Sequence, residues 1–329
     1  MVLEVNLRKY FTPKAIAQIL ETLPPLETPI LDRIYPESRR KQHQLPVLGI
    51  DEITAVVKNV PVVRRGTQAV PAPGADTRAI TYIEPQPVEV STFITAKELN
   101  DLKLLAETSI QNYIAGKIDY LRQVIRKTTE ALAVQSLKGE ISYPMKTLTG
   151  FDTYTVSFGP TLSYIPTTKW NATDKTIADL LKDLLEITKV IKENSGYGNI
   201  RFFAGSDAFL ALANLVIKQA GEAPVKAEVT EKGVTLAGFT IEYLDAVYTD
   251  YINNTTYSAI DSDKVLAIAM DAPFTLWYCA IDDIEAGLVA MPFYAVPDTK
   301  KNPSGVEVVA KSKPLPVPVP KAICWADVI

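Results

Sequence analysis

Apolar residues recur at helical spacing through the stretch that runs from Thr95 to Gly139. Thr95 and Glu98 have the spacing of a capping box, in which each side chain accepts a hydrogen bond from the backbone amide of the other residue. Gly139 stands where a left-handed C-terminal cap is expected. The apolar side chains between these ends share one helical face: Leu99, Leu102, Ile110, Tyr113, Ile114, Ile118, Leu121, Ile125 and Leu132.

The pattern predicts either one helix of about 60 Å, at a rise of ~1.5 Å per residue, or two helices in succession. Gly116 is unfavourable in a helix interior, and Ala106–Ser109 offers capping residues for a second start. An apolar face of this length needs a large surface to cover it. We therefore interpret the stretch as the structural spine of an elongated domain.

Residues 1–48 are predicted to form an arm that contains one helix. Thr12 is a suitable N-cap for a helix over Pro13–Leu23, with Pro13 at the first helical position. The rest of the arm is rich in proline and is predicted to be extended, so its apolar residues have no partner within the arm. We expect these residues to dock on another subunit, with a solvated linker as the alternative: Leu26, Ile30, Leu31 and Ile34.

Residues 49–94 are predicted to form an extended two-stranded loop. A turn-rich segment, Gly66–Asp76, lies in its middle. An isolated ribbon of two strands is marginally stable in water, so the loop needs a surface to lie on. Alternation of apolar and polar positions predicts its short strands: Ile53–Val57, Val60–Arg64, Arg78–Ile83 and Val88–Ile94.

Basic residues are concentrated in the arm and in the loop. Their ordinary use is to form salt bridges with an acidic surface, here one on a neighbouring subunit, and nucleic-acid binding is the alternative. The predicted inter-subunit contact residues are Arg39, Arg40, Lys41, Lys58, Arg64 and Arg65.

Residues 167–262 have the pattern of a separate α/β domain. The predicted elements are a helix from Asn171 to about Asn194 with Thr173 or Asp174 as N-cap and Gly196 as C-cap, a strand over Ile200–Ala204, and a helix over Ser206–Gln219. Further strands follow, and the chain beyond residue 262 returns to β structure. The alternating prolines from Pro314 to Pro320 predict an edge strand or a polyproline segment, because proline cannot donate to a ladder.

Composition describes an ordinary soluble protein: 47% of the 329 residues are hydrophobic, 22% are charged and the net charge is −4. The chain therefore lacks the basic signature of a nucleic-acid reader. Apolar runs are too short to span a bilayer, and the first residues lack a signal-peptide pattern. Cys279 and Cys324 have no metal-ligand spacing and are expected to be buried, reduced thiols. We expect synthesis and folding in a cytoplasm.

The sequence predicts no catalytic, cofactor-binding or metal site. His43, the one histidine, lies in the proline-rich arm without an obvious partner. Glycine-rich nucleotide loops and the nucleophile-elbow motif are absent. An enzyme with an unrecognised site would have to use Ser206, Asp207 or the pair Asp282–Asp283, and that alternative stays open.

The order of elements resembles the major capsid proteins of tailed bacteriophages, which have the α+β Hong Kong 97-type fold, and in detail the lambda-type major capsid protein E family. An arm, a β loop, a spine helix, a strand pair, an inserted α/β domain and returning strands follow one another in that family's order. The stretches that carry the resemblance are Leu137–Gly139, Phe151–Gly159, Trp170–Asp174, Arg201–Phe209 and Lys311–Pro316.

The resemblance implies a division into an N-terminal arm (1–48), an extended loop (49–94), a peripheral domain (95–166 and 263–329) and an axial domain (167–262). It also implies a structural function, in which hexamers and pentamers tile an icosahedral shell around double-stranded DNA. The implied partners are other copies of the chain, a scaffold, a portal and decoration proteins, with non-specific DNA contact and no membrane. An encapsulin-like nanocompartment, which has the same fold, is the alternative.

Overall fold

The longest helix in the described part of the chain is α4, over Glu107–Ser136. The computed structural model describes residue 9 and residues 11–51, 80–102, 107–219, 227–230, 233–250 and 254–329. The chain divides into two units: unit 1 comprises 1–48, 84–133 and 275–317, and unit 2 comprises 49–83, 134–274 and 318–329. The predicted strands Ile53–Val57 and Val60–Arg64 and the turn-rich segment between residues 66 and 76 lie outside the described residues.

The described residues of the predicted spine form two helical segments, and residues 103–106 between them lie outside the described residues. α3 (Ala96–Leu102) begins at the predicted capping box, where the Thr95 hydroxyl accepts from the Glu98 amide at 3.2 Å and the Glu98 carboxylate accepts from the Thr95 amide at 2.7 Å. The described part of α4 begins at Glu107. Gly116 lies in the interior of α4, which continues through it, so the glycine does not break the helix.

One face of α4 supplies the core of unit 1. It packs against helix α1 (Pro13–Thr22) and against a three-stranded antiparallel sheet of β4 (Val88–Thr95), β16 (Tyr294–Lys301) and β17 (Ser304–Ser312), in the order β16-β17-β4. Full burial of each large aliphatic side chain stabilises the fold by roughly 1.5–3 kcal/mol. The buried members of this core are Phe11, Ile16, Ile94, Leu102, Ile110, Ile114, Ile118, Leu121, Ile125, Ala295, Val308 and Ala310.

The expectation that the apolar residues of the arm dock on another subunit is wrong for three of the four. Ile30, Leu31 and Ile34 are at most 1% exposed within their own chain. They lie on α2 (Pro29–Ile34), a short helix where an extended segment was predicted. Proline is well suited to the first position of a helix, so the prolines of the arm did not exclude helical structure.

The arm then joins a second sheet of unit 1. β1 (Arg40–His43) runs parallel to β15 (Thr275–Cys279), which pairs on its other side with β18 (Pro314–Val317). Among the described strands β18 pairs with β15 alone, so its prolines lie in an edge strand, as the sequence predicts.

Unit 2 is built on a seven-stranded mixed sheet in the order β7-β19-β14-β8-β11-β10-β9. Its strands are β7 (Leu162–Tyr164), β8 (Ile200–Ala204), β9 (Ala227–Thr230), β10 (Gly233–Leu236), β11 (Phe239–Tyr243), β14 (Lys264–Ala269) and β19 (Ile323–Asp327). Three of these, β7, β14 and β19, come from outside residues 167–262. The four-segment division by arm, loop, peripheral and axial domains stays a prediction.

Two helices, α5 (Ile177–Ser195) and α6 (Ser206–Gln219), supply buried apolar faces in unit 2. α6 and β8 have the predicted bounds, and Gly196 caps α5 in the left-handed conformation (φ 76°). The predicted N-cap of α5 is wrong, because α5 starts at a capping box of Thr176 and Asp179. The remaining pairs are β2 (Leu48–Asp51) with β3 (Ile80–Ile83), β5 (Glu140–Lys146) with β6 (Phe151–Ser157), and β12 (Val247–Thr249) with β13 (Thr256–Ser258).

Replacing Leu121 with aspartate tests whether the α4 face holds unit 1 together. Leu121 is fully buried, so Leu121→Asp removes a packed side chain and places an unpaired carboxylate in the core, at a cost of about 4 kcal/mol or more. We expect loss of soluble, folded protein, measured by circular dichroism and thermal unfolding. Tyr120, the neighbouring residue, is 59% exposed, and Tyr120→Asp is the matched control that keeps the wild-type fold. A wild-type melting temperature for Leu121→Asp would contradict the core assignment.

Candidate inter-subunit surface and its supporting charges

The predicted contact residues of the arm have partners within their own chain. Arg39 donates from Nη1 to the Ile34 carbonyl at 3.0 Å, and Arg40 donates from Nε to the Tyr35 carbonyl at 2.9 Å. These two carbonyls lie at the C-terminal end of α2, where backbone acceptors have no donor within the helix. The two guanidinium groups supply the missing donors. Lys41 places its ammonium 5.4 Å from the centre of the Trp277 ring, a cation–π distance.

Lys58, Arg64 and Arg65 lie outside the described residues. Arg40 and Lys41 also line an open groove of about 860 Å³ in unit 1, whose walls come from the arm, from α4 and from the chain before β16. The structure thus assigns intramolecular roles to the three arm residues, and their contact with a neighbour stays a prediction.

Glu130 joins α2 to α4. Its carboxylate accepts hydrogen bonds from the Ile30 amide at 2.7 Å through Oε1 and from the Leu31 amide at 2.8 Å through Oε2. Both amides belong to the first turn of α2, where backbone donors have no helical acceptor. Glu130 is only 9% exposed, so the contact is shielded from water. The carboxylate therefore fixes the position of α2 on α4.

Charged groups around Glu130 connect the same elements. Asp32 accepts from the Thr28 amide at 2.8 Å and pairs with Arg126 of α4 at 2.6 Å and with Arg40 at 3.2 Å. Burial raises the pKa of Glu130 above its ordinary 4.5, whereas the two amides and the Arg126 guanidinium oppose that rise. The raised pKa means that burial outweighs these favourable contacts.

Sequence reasoning missed Glu130. A glutamate beside Ala131, Leu132 and Ala133 is a polar residue at the edge of an apolar run, which was a usable signal. Its partners, however, lie 99 and 100 positions earlier in the chain, and no local pattern connects positions so far apart.

Unit 2 contains a second buried carboxylate, Asp183 of α5. It pairs with Lys175 at 2.6 Å and also accepts from the Trp170 indole and the Tyr164 hydroxyl, each at 3.0 Å. Lys175, which is 2% exposed, also donates to the Thr168 carbonyl at 2.9 Å. Since the charges are paired and hydrogen-bonded, the network fastens the segment before α5 to the helix.

Ser206, Asp282 and Asp283, which an unrecognised enzyme would have to use, have structural roles in the fold. Ser206 begins α6, while Asp282 pairs with Lys313 at 2.9 Å and Asp283 pairs with Lys311 at 3.0 Å. His43 lies edge-on to Trp277. The described residues contain no group of three or more histidine, cysteine, aspartate or glutamate side chains that could hold a metal ion.

Both cysteines are buried and free, and burial raises the pKa of the Cys279 thiol to about 11 and that of the Cys324 thiol to about 12. These thiols are therefore protonated at neutral pH and are poor nucleophiles. Across the described ranges, no helix combines the length and the apolar character needed to cross a bilayer.

Solved structures that are similar to this chain include two phage-related proteins and an encapsulin. A capsid protein of a prophage in E. coli CFT073 aligns with a TM-score of 0.63 and 14% identity over 100% of both chains. A phage-related protein of Bordetella bronchiseptica aligns with a TM-score of 0.55 and 11% identity over 95% of this chain and 96% of that chain. An encapsulin of Synechococcus elongatus aligns at 10% identity over 95% of both chains, with a TM-score of 0.49. The fold is thus the α+β Hong Kong 97-type capsid fold.

The profile of the phage major capsid protein E family matches residues 12–328. The chain therefore belongs to that family and is a structural capsid protein of the virion, which confirms the family predicted from the order of elements. No curated protein matches the chain significantly.

Removing the Glu130 carboxylate tests its role in holding α2. Glu130→Ala leaves two amides without an acceptor and should lower the free energy of unfolding by about 2–4 kcal/mol, and Glu130→Gln, which keeps one acceptor oxygen, should have a smaller effect. Urea unfolding measures both. Lys127→Ala, at an exposed position on the same helix, is the control and should change stability by less than about 0.5 kcal/mol.

The same variants should show a specific pH dependence. Because the pKa of Glu130 is raised on folding, the folded chain retains a proton that the unfolded chain releases above pH 4.5. The stability contributed by this group therefore falls as pH rises from there through its folded-state pKa. Wild type should lose stability relative to Glu130→Gln across that window, and parallel pH profiles would contradict the assignment.

Breaking the buried pair of unit 2 gives a second stability test. Lys175→Met leaves the Asp183 carboxylate buried without its cation and should cost about 3–5 kcal/mol. Lys189→Met is the matched control, because Lys189 is 66% exposed and lies 3.9 Å from Glu193. That exposed pair contributes little. Equal melting temperatures for the two variants would show that the buried network does not support the fold.

Proposed function

We propose that copies of this chain assemble into hexamers and pentamers and close an icosahedral phage head around double-stranded DNA. The observation that carries the proposal is the family match over residues 12–328, and the full-length likeness to a prophage capsid protein supports it. Closed symmetry lets a shell gain stability from many individually modest interfaces. The chain's partners in this role are a scaffold, a portal and decoration proteins, and its synthesis takes place in the host cytoplasm.

Each predicted segment has a part in this assembly. The arm (1–48) and the extended loop (49–94) lie at subunit boundaries, the peripheral domain (95–166 and 263–329) forms the wall, and the axial domain (167–262) lies near the capsomer centre. Salt bridges to the neighbouring subunit come from Arg39, Arg40, Lys41, Lys58, Arg64 and Arg65.

The inner wall of a shell that holds packaged DNA should bind the DNA only weakly. The net charge of −4 suits weak, non-specific contact, because DNA affinity depends on neutralising phosphates with many cations. The function requires no chemical step, and we propose none.

Imaging of the protein expressed alone tests the proposed assembly. We expect closed particles, tubes or sheets with a hexameric lattice by negative-stain electron microscopy, together with a large species by size-exclusion chromatography. Leu121→Asp protein, which should not fold, controls for non-specific aggregates by showing what disordered material looks like. A homogeneous monomer at every concentration, both alone and with the neighbouring scaffold gene co-expressed, would refute the proposal.

A further inference from the structure

A loop of unit 1 presents large apolar side chains to solvent. It runs from Ile281 to Ala290, between β15 and β16. Ile284 is 88% exposed and Leu288 is 57% exposed, although burial of such side chains is the main source of folding free energy. We name residues 281–290 the apolar loop.

The apolar loop has a fixed conformation. The Asp283 carboxylate accepts from the Glu285 amide at 2.9 Å and from the Ala286 amide at 3.2 Å, and the Leu288 amide donates to the Asp283 carbonyl at 3.1 Å. Two of its own residues, Ile281 and Ala286, are buried in a small cluster with Tyr294. The backbone that carries the exposed side chains is therefore held in position before any partner arrives, which lowers the entropy lost on binding.

Leu288 adopts a left-handed backbone conformation, with φ at 56°. This region is unfavourable for a branched side chain, and glycine would adopt it at lower cost. Most of the Leu288 side chain contacts solvent, so the folded single chain gains little packing in return for that strain. A contact made by the side chain with another molecule would account for a leucine at this position.

The charges of the apolar loop favour a protein partner. Asp282 pairs with Lys313 and Asp283 pairs with Lys311, so two of its carboxylates are already neutralised and cost less to cover. The sequence of the loop contains no lysine or arginine, and Glu285 is exposed. Nucleic acid and anionic membrane surfaces both attract basic residues, so neither fits this surface.

We propose that Ile284 and Leu288 of the apolar loop form an apolar contact with a second copy of this chain. The inference rests on the proposed shell function, because a shell built from one protein must bury part of each copy on its neighbours. Heterologous contacts bring a patch of one copy against a different patch of the next. A few buried apolar side chains commonly carry most of the affinity of such contacts.

Two variants and a matched control test the contact by assembly in vitro. Leu288→Gly removes the side chain and relieves the backbone strain, and Ile284→Ser removes an apolar side chain that packs little on its own chain. Each should raise the protein concentration needed for half-maximal assembly by about tenfold. Ala237→Gly is the control, because Ala237 is exposed and also left-handed (φ 49°) but carries no large apolar group.

Thermal unfolding of the unassembled chains separates a contact residue from a folding residue. The melting temperature of Leu288→Gly should follow that of Ala237→Gly, and Ile284→Ser should match wild type. A clear loss of stability in both apolar-loop variants would show that these side chains pack within their own chain and would overturn the inference.

Assembly of both variants at the wild-type concentration would also overturn the inference, and would leave the shell function intact. That result would indicate that the loop contacts a different protein or none. Failure of wild type itself to assemble, even with the scaffold gene present, would overturn the shell function and this contact with it.

Discussion

The apolar face of α4 is the constraint on which unit 1 depends. One helix cannot hide such a face, and the chain covers it with elements from three separate regions: α1 near the start, β4 just before the helix, and the β16–β17 hairpin far beyond it. Each of these elements is small, and a short strand pair or a ten-residue helix is marginal by itself. These elements are therefore stable because they pack on α4. The same surface joins regions that are far apart in the sequence into one unit.

Buried carboxylates fix the positions of elements that apolar packing alone would leave loosely defined. An apolar face accepts many placements of a short helix, whereas the two bonds from Glu130 to the Ile30 and Leu31 amides hold α2 at a single place along α4. Asp183 has the same role in unit 2, where its bonds to Lys175, Trp170 and Tyr164 order the approach to α5. In both units a carboxylate is buried at some cost, and its hydrogen bonds offset part of that cost; at Glu130 burial still outweighs them, which is why the pKa is raised.

Local signals predicted local structure well. The Thr95–Glu98 box, β8, α6 and the Gly196 cap follow from neighbouring residues alone, and the order of elements was sufficient for the fold and the family. The failures have non-local causes. The prolines around α2 predict an extended arm, whereas the acceptor that fixes this helix, Glu130, lies 100 positions away from Ile30 and leaves no local signal there. The bonds from Arg39 and Arg40 to free carbonyls of α2 were also not predicted, because they depend on that helix; the contact of these two residues with a neighbouring subunit stays a prediction.

Burial of the arm within its own chain changes the free energy that contacts between copies must supply. If Ile30, Leu31 and Ile34 were ordered only on a neighbour, each contact would have to offset the conformational entropy of the arm, at about 1–2 kcal/mol per residue. The structure buries them within one chain, so that entropy is lost during folding instead. Contacts between copies are then free to be small, made by side chains that the folded chain already holds in place. Small contacts are individually reversible, and a symmetric shell multiplies them into a stable whole while misplaced copies still dissociate.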